Sequence, residues 1–269
     1  MSTRLGIVGG GQLALYLCKA AQELGVSVTV ITESADDAAL RYADSAVVDD
    51  LGSAAAIEQF IDGCDVVTFD KEGVPNETLG WLIDAQAQGR IAIHPSADIL
   101  LMLKDKALQK TWLEEQDLPT LPFHILTGRA ASLEALSGKF GEAVVQKARS
   151  GGYDGRGVQI LRKLESEEQL WDVPSIVEPF LPDCNEIAVI SVRDQAGKVQ
   201  TYPPVSMEFD SQLNSVKAVA MPAAVSARLS AAAIALAERV VTALDGVGVF
   251  AVEMFVTPEE ELLINEISP

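Results

Sequence analysis

The run RLGIV, from Arg4 to Val8, is apolar without helical spacing, as expected of a strand buried on both faces. Gly9, Gly10 and Gly11 end it, and QLALYLCKAAQELG continues with apolar residues at helical spacing as far as Gly25. VSVTVIT then reads as a second strand, so the N-terminus predicts strand, tight turn, helix, strand, and with it a parallel sheet. CDVVTFD, from Cys64, and RIAIHP, from Arg90, predict two more strands of this sheet, which is expected to end near Pro95.

Beyond it the periodicity changes. ADILLMLKDKALQKTWLEEQ has helical spacing, and the two prolines of DLPTLPFHIL break it before an extended stretch. AVVQKA, VQILRK, SIVEPFL, EIAVISVRD and KVQTYPPVSMEF read as strands. An alanine-rich helix from Ala224 to Leu244 follows, and GVFAVEMFV and ELLINEI close the chain as two further strands. The predicted class is α/β: a parallel βαβ domain over residues 1–97, then an α+β domain over residues 98–269.

Composition narrows the function. With 269 residues, 48% of them hydrophobic, there is ample apolar surface for two cores, and mean hydropathy is +0.20. A formal charge of −19 repels nucleic acid and anionic membranes alike. Cys18, Cys64 and Cys184 are odd in number and lack metal-ligand spacing, so reduced thiols and a cytoplasmic chain are expected. No apolar run reaches membrane-spanning length.

Against that acidic background stands QKARSGGYDGRG, residues 146–157. A hairpin needs about two turn residues, whereas SGGYDGRG has eight, and Lys147 and Arg156 make the segment cationic. It can fold over a triphosphate, donating backbone N–H groups. Glu253 and Glu266 lie within adjacent apolar strands, the latter beside Asn265; two carboxylates and an amide oxygen suit Mg²⁺, which takes hard oxygen ligands. Glu178 ends a buried strand where the chain could turn past an adenine, and Glu186 opens the next, where it could accept ribose hydroxyls. Lys104, Lys106 and Lys110 read as a solvated helix face, and His94 and His124 lack catalytic partners. The turn GGGQLA fits a loose dinucleotide motif through Gly9, Gly11 and Ala14, with Glu33 as its acidic residue, which keeps a dehydrogenase as a rival reading.

Taken in order, GIVGGGQLA, VVTFDKEGVP, KDKALQK, VQKARSGGYDGRG, VEPFL with NEIAV, and GVFAVEMFV with LLINEISP resemble the N5-carboxyaminoimidazole ribonucleotide synthetases, ATP-grasp enzymes of purine biosynthesis. The resemblance implies a pre-ATP-grasp domain followed by an ATP-grasp domain, with ATP and Mg²⁺ as cofactors and 5-aminoimidazole ribonucleotide and bicarbonate as substrates. It implies that carboxyphosphate forms and that its carbon passes to the exocyclic amine. Lys106 and Lys147 would contact ATP phosphates, under a loop of Ser150, Gly151, Gly152, Tyr153, Asp154, Gly155, Arg156 and Gly157. Lys147, Asp154 and Arg156 would be catalytic; Glu178, Phe180 and Leu181 would hold adenine, and Glu186 the ribose. Glu253, Glu266 and Asn265 would carry the metal. Gly10, Gly11, Gln12, Leu13 and Glu72 would bind the ribonucleotide, and a homodimer is implied.

The chain departs from the family pattern at FDKEG around Glu72 and at SMEF, where Met207 replaces an amide. It also ends at NEISP, ahead of the family's C-terminal segment, so a fragment or a shortened relative that binds ATP without completing the reaction is a second expectation.

Overall fold

The computed structural model describes residues 3–129, 133–151, 157–210 and 215–269. They form two compact units: Met1–Leu101 with Gly246–Gly248, and Met102–Asp245 with Val249–Pro269.

In the first unit, β1 (Arg4–Val8), α1 (Gln12–Glu23), β2 (Ser27–Thr32), β3 (Ser45–Val48), α2 (Ala54–Asp62), β4 (Val66–Phe69), α3 (Asn76–Ala87) and β5 (Ala92–Ile93) alternate along the chain. The strands pair in parallel in the order β3-β2-β1-β4-β5. Two apolar clusters form the core: Ile57, Phe60, Leu79 and Leu82 pack with Val8, Ile31 and Val67, while Ala14, Cys18 and Ala21 pack with Ile7, Val28 and Val30. Because successive residues of β1 and β2 enter different clusters, both faces are buried and the strands read as continuous apolar runs. β3, α2 and α3 add to the elements that the pattern predicts. The order reverses between β1 and β4, making their carboxyl ends the topological switch point where ligands of such sheets bind.

α4 (Ala97–Leu103) and α5 (Lys106–Glu115) replace the single helix expected around KDKALQK. Asp105 causes the break: its side chain accepts from the amides of Ala107 and Leu108 as the N-cap of α5. The second unit continues with β6 (His124–Leu126), α6 (Leu133–Phe140), β7 (Val144–Ala148), β8 (Val158–Leu161), β9 (Ser175–Pro179), β10 (Asn185–Arg193), β11 (Val199–Thr201), β12 (Val205–Asp210), β13 (Ser215–Ala220), α7 (Ala227–Leu244), β14 (Gly248–Val256) and β15 (Leu262–Ser268). α7 begins three residues later than the alanine pattern suggests, where Ser226 caps it by accepting from the amide of Leu229. One sheet has the order β6-β9-β7-β8; the other runs β13-β12-β10-β14-β15, with β11 attached to β10.

Two irregularities position the site. In β14, Phe250, Val252, Met254 and Val256 alternate into the core, which turns Glu253 and Phe255 to the opposite face. In β15 the buried residues Ile264 and Ile267 are three apart, because the register shifts there: Glu266 faces Glu253, Ile264 faces Met254, and Asn265 is the extra residue of a bulge.

Candidate active site

A cavity of about 310 Å³ lies between the two sheets of the second unit. Its walls include Val145, Val158, Ile160, Phe209 and Phe255, with Phe180 and Leu181 at the end of β9. Converging on this apolar volume are Lys106, Lys147, Glu178, Glu186, Glu253, Asn265 and Glu266. An apolar slot with a few polar groups at one end is the usual form of a small-molecule site.

The charged groups are ordered by burial. Glu178 has no exposed surface and lies between two lysines: Oε1 is 2.5 Å from Lys110 Nζ, and Oε2 is 2.7 Å from Lys147 Nζ. Burial alone raises a carboxyl pKa, but the two ammonium groups outweigh it and hold Glu178 below its usual range. Burial likewise opposes the charge on Lys147, yet the neighbouring Glu178, aided by Glu266 and Glu186, leaves its pKa raised. On Lys110 burial prevails over Glu178 and the pKa is lowered. Lys147 Nζ also donates to Asn265 Oδ1 at 2.7 Å, and Lys106 pairs with Glu266.

Glu253 lacks such a partner within ion-pair reach among the described contacts. Burial, and then the charges of Glu266 and Glu186, push its pKa up to about 7. Burial also raises Glu186, with Lys147 offsetting part of the effect.

Among the described lining residues, four carboxylates outnumber two ammonium groups. A polyphosphate entering such a cavity needs a cation with it. Among the described residues no three carboxylate, thiol or imidazole groups form a ready-made cage. Two opposed carboxylates and an amide oxygen nonetheless fit Mg²⁺, which completes its shell with water and phosphate oxygens.

The lysine run is not the solvated face expected of it. Leu103, Ala107, Lys110 and Leu113 are all buried, and Lys110 is only 2% exposed. Lys106 and Lys110, one helical turn apart, share a face of α5 and point to the two carboxylates Glu266 and Glu178. Gln109 locks that face in place, donating to the carbonyls of Leu103 and Ile267 and accepting from the amide of Ile267 at 2.8 Å.

At the base of the glycine segment, the amide of Ala148 donates to the carbonyl of Gly157. The Arg149 guanidinium pairs with Asp105 at 2.6 Å, while its carbonyl accepts from the amide of Lys106. Ser150 and Gly151 emerge exposed from this anchor. Gly152, Tyr153, Asp154, Gly155 and Arg156 lie outside the described residues, and with them two of the three expected catalytic groups.

In the first unit, Gly10, Gly11, Gln12 and Leu13 follow β1 and Glu72 follows β4, so the structure brings them together at the switch point. The turn does not offer a dinucleotide its usual seat. Asp70 accepts from the amide of Gly11 at 2.6 Å and of Ala14 at 2.7 Å, placing a carboxylate where a diphosphate would lie. Glu33, the residue a dehydrogenase would use for ribose, is paired with Lys71 at 2.8 Å. The glycines serve this packing: a Cβ on Gly11 would lie 2.8 Å from Asp70 Oδ2, and one on Gly10 would lie 2.7 Å from Asp37 Oδ2.

A nucleotide-sized slot between two sheets, lined by lysines and paired glutamates, follows an N-terminal parallel sheet. The ATP-grasp domain family matches residues 111–269, and the ribonucleotide synthetase preATP-grasp domain family matches residues 1–104. The fold and the cavity thus define an ATP-grasp protein. Within that class, the N5-carboxyaminoimidazole ribonucleotide synthase of Synechococcus elongatus is 36% identical over 98% of this chain and 66% of its own length. The structure of the synthetase from Thermotoga maritima superposes with a TM-score of 0.87 at 32% identity, covering 99% of this chain and 68% of that one. That of the Aspergillus clavatus synthase, in complex with ADP and 5-aminoimidazole ribonucleotide, gives a TM-score of 0.87 at 27% identity over 99% and 69%. The chain belongs to the N5-carboxyaminoimidazole ribonucleotide synthase family, and it spans about two thirds of the length of these relatives. Among the described residues no helix is long and apolar enough to cross a membrane.

Proposed function

We propose that this chain carries the ATP-dependent carboxylation of 5-aminoimidazole ribonucleotide by bicarbonate, with release of ADP and phosphate, in cytoplasmic purine synthesis. The observation that carries the reading is that Lys106, Lys147, Glu253, Asn265 and Glu266 line one apolar slot, with Lys106 paired to Glu266, Lys147 bonded to Asn265 and Glu253 opposite Glu266. In this reading residues 1–97 form the pre-ATP-grasp domain and residues 98–269 the ATP-grasp domain.

Each residue has a physical task. Adenine enters between the apolar walls, against the Phe180 carbonyl and the Leu181 amide, since the Phe180 N–H is already donated to Ala143. The Glu178 side chain is taken up by its two lysines, so its part is electrostatic rather than a contact to the base. Glu186 accepts from the ribose hydroxyls, and Lys106 and Lys147 offset phosphate charge. Glu253, Glu266 and Asn265 would hold Mg²⁺, which would supply positive charge to the phosphate oxygens. For the metal to bind, the Lys106 ammonium must give way at Glu266 and that of Lys147 at Asn265, and both are then placed to meet the phosphates. Gly10, Gly11, Gln12, Leu13 and Glu72 hold the ribonucleotide at the switch point. By resemblance to the family, Ser150 to Gly157 would contribute to the phosphate site, with Asp154 and Arg156 among them, and the family's homodimer is the expected assembly.

The test is ADP release with ATP-Mg, bicarbonate and 5-aminoimidazole ribonucleotide. The reading expects turnover that depends on the ribonucleotide. ATP binding without that dependence would assign instead a nucleotide-binding module.

A further inference from the structure

Lys110 is almost fully buried and does not line the cavity, yet it shares one carboxylate with the lysine that does. Its ammonium donates to Thr120 Oγ1 at 2.6 Å, and that hydroxyl donates to the carbonyl of Ile264 at 2.7 Å, fixing Lys110 on the side of Glu178 away from the cavity. On the cavity side, Lys147 Nζ meets Glu178, the amide oxygen of Asn265 and, 5.7 Å away, the ring of Phe255.

We propose that Lys110 is a positioning residue for the nucleotide: by offsetting the buried Glu178, it leaves the Lys147 ammonium with an unneutralised charge to present to the phosphates. The inference rests on the ATP-site reading and deepens it. Two ammonium groups and one carboxylate carry a net charge of +1, and the cavity-facing member is the one able to turn that charge toward a ligand. Without Lys110 the remaining pair is neutral, and Lys147 is bound to a carboxylate that no other cation shares. The effect is large because the pair is shielded from water, where Coulomb interactions are weakly screened. A merely structural lysine would fill space and satisfy Thr120; a charge-setting one acts on anionic ligands and spares neutral ones.

Calorimetry on the whole chain separates the two, with ATP-Mg and adenosine as probes. The variants are Lys110→Met and the double variant Lys110→Met with Glu178→Gln, which restores the +1 through Lys147 alone. Lys110→Met is expected to lose roughly tenfold to a hundredfold in ATP-Mg affinity, the range for a charged hydrogen-bonding partner, with adenosine affinity unchanged. The double variant is expected to bind ATP-Mg more tightly than Lys110→Met does. Unchanged ATP-Mg affinity in Lys110→Met, an equal loss for both probes, or no recovery in the double variant overturns the proposal and leaves the ATP site standing. If the single variant does not fold, the double variant decides, since removing both buried charges avoids stranding either. A wild-type chain that binds adenosine but not ATP-Mg, or neither, overturns the site reading itself and this proposal with it.

Discussion

Glu253 and Glu266 stand directly opposite each other across the β14–β15 pair, and the bulge at Asn265 brings a third oxygen donor to the same cavity. Like charges directly opposed on a sheet destabilise it. The arrangement therefore makes sense when a cation comes between them, and its consequences can be measured.

Glu266→Gln keeps the volume of the side chain and removes one charge from the proposed Mg²⁺ site and from Lys106. Turnover with ATP-Mg is expected to fall by roughly a hundredfold, equal to a few kcal/mol of charge stabilisation. The far-ultraviolet circular dichroism and melting temperature should change little. Retention of wild-type kcat/KM would remove Glu266 from the metal site.

Glu253 ties the same site to pH. Its carboxyl pKa is raised from an ordinary 4.5 to about 7 by burial and by Glu266. The folded chain thus holds this proton more tightly than the unfolded one, so the contribution to stability is complete below about pH 4.5 and is lost as pH rises through about 7. Replacing Glu253 by Gln removes that dependence. In urea denaturation without nucleotide, the Gln variant is expected to gain stability relative to wild type between pH 5 and pH 8. ATP-Mg should show the opposite trend in wild type: below about pH 7 the metal competes with the proton, and affinity is expected to fall by up to about tenfold per pH unit. A constant stability difference across that range would show that Glu253 ionises normally.

The fold was legible where periodicity was strong. RLGIV and VSVTVIT lie in a sheet covered on both faces, so their apolar runs could mean little else. β3 escaped because only Val47 of its four residues is buried, which leaves no alternation to detect. Within the site, the two glutamates stood out because carboxylates are rare among valine, methionine and isoleucine. Lys110 carried a signal too: it occupies the stripe Ala107, Lys110, Leu113 on α5, a helix otherwise rich in polar residues. A lysine run suggests a wet surface, and only the position of Glu178 on β9, far along the chain, reverses that inference. The spacing of three between Ile264 and Ile267 likewise announces a bulge, which explains how the adjacent Asn265 and Glu266 both reach the cavity.

Glu178→Ala is expected to be among the most damaging single changes to stability. It leaves Lys110 and Lys147 facing each other without the carboxylate between them, and breaking a buried ion pair from one side costs about 3–5 kcal/mol. Urea unfolding should show the midpoint falling with the slope preserved. A loss under about 1 kcal/mol would indicate that water reaches the lysines and that the trio is not the sealed network described above.

The glycines of the first turn make a separate case, because their purpose differs from what the motif suggests. Gly11 has φ −74°, which any residue can adopt, so the conflict of an added Cβ with Asp70 Oδ2 at 2.8 Å is the obstacle to a side chain there. Asp70 in turn holds the start of α1 through the amides of Gly11 and Ala14. Gly11→Ala is expected to cost about 1–3 kcal/mol by overpacking, and Asp70→Ala about 1–2 kcal/mol through loss of a helix cap. The double variant should cost less than the sum by about 1 kcal/mol or more, since with the carboxylate gone the methyl group has room. That shortfall, measured by chemical denaturation, would identify the turn as the seat of a carboxylate belonging to the protein. Strict additivity would mean that Gly11 is constrained by something other than Asp70.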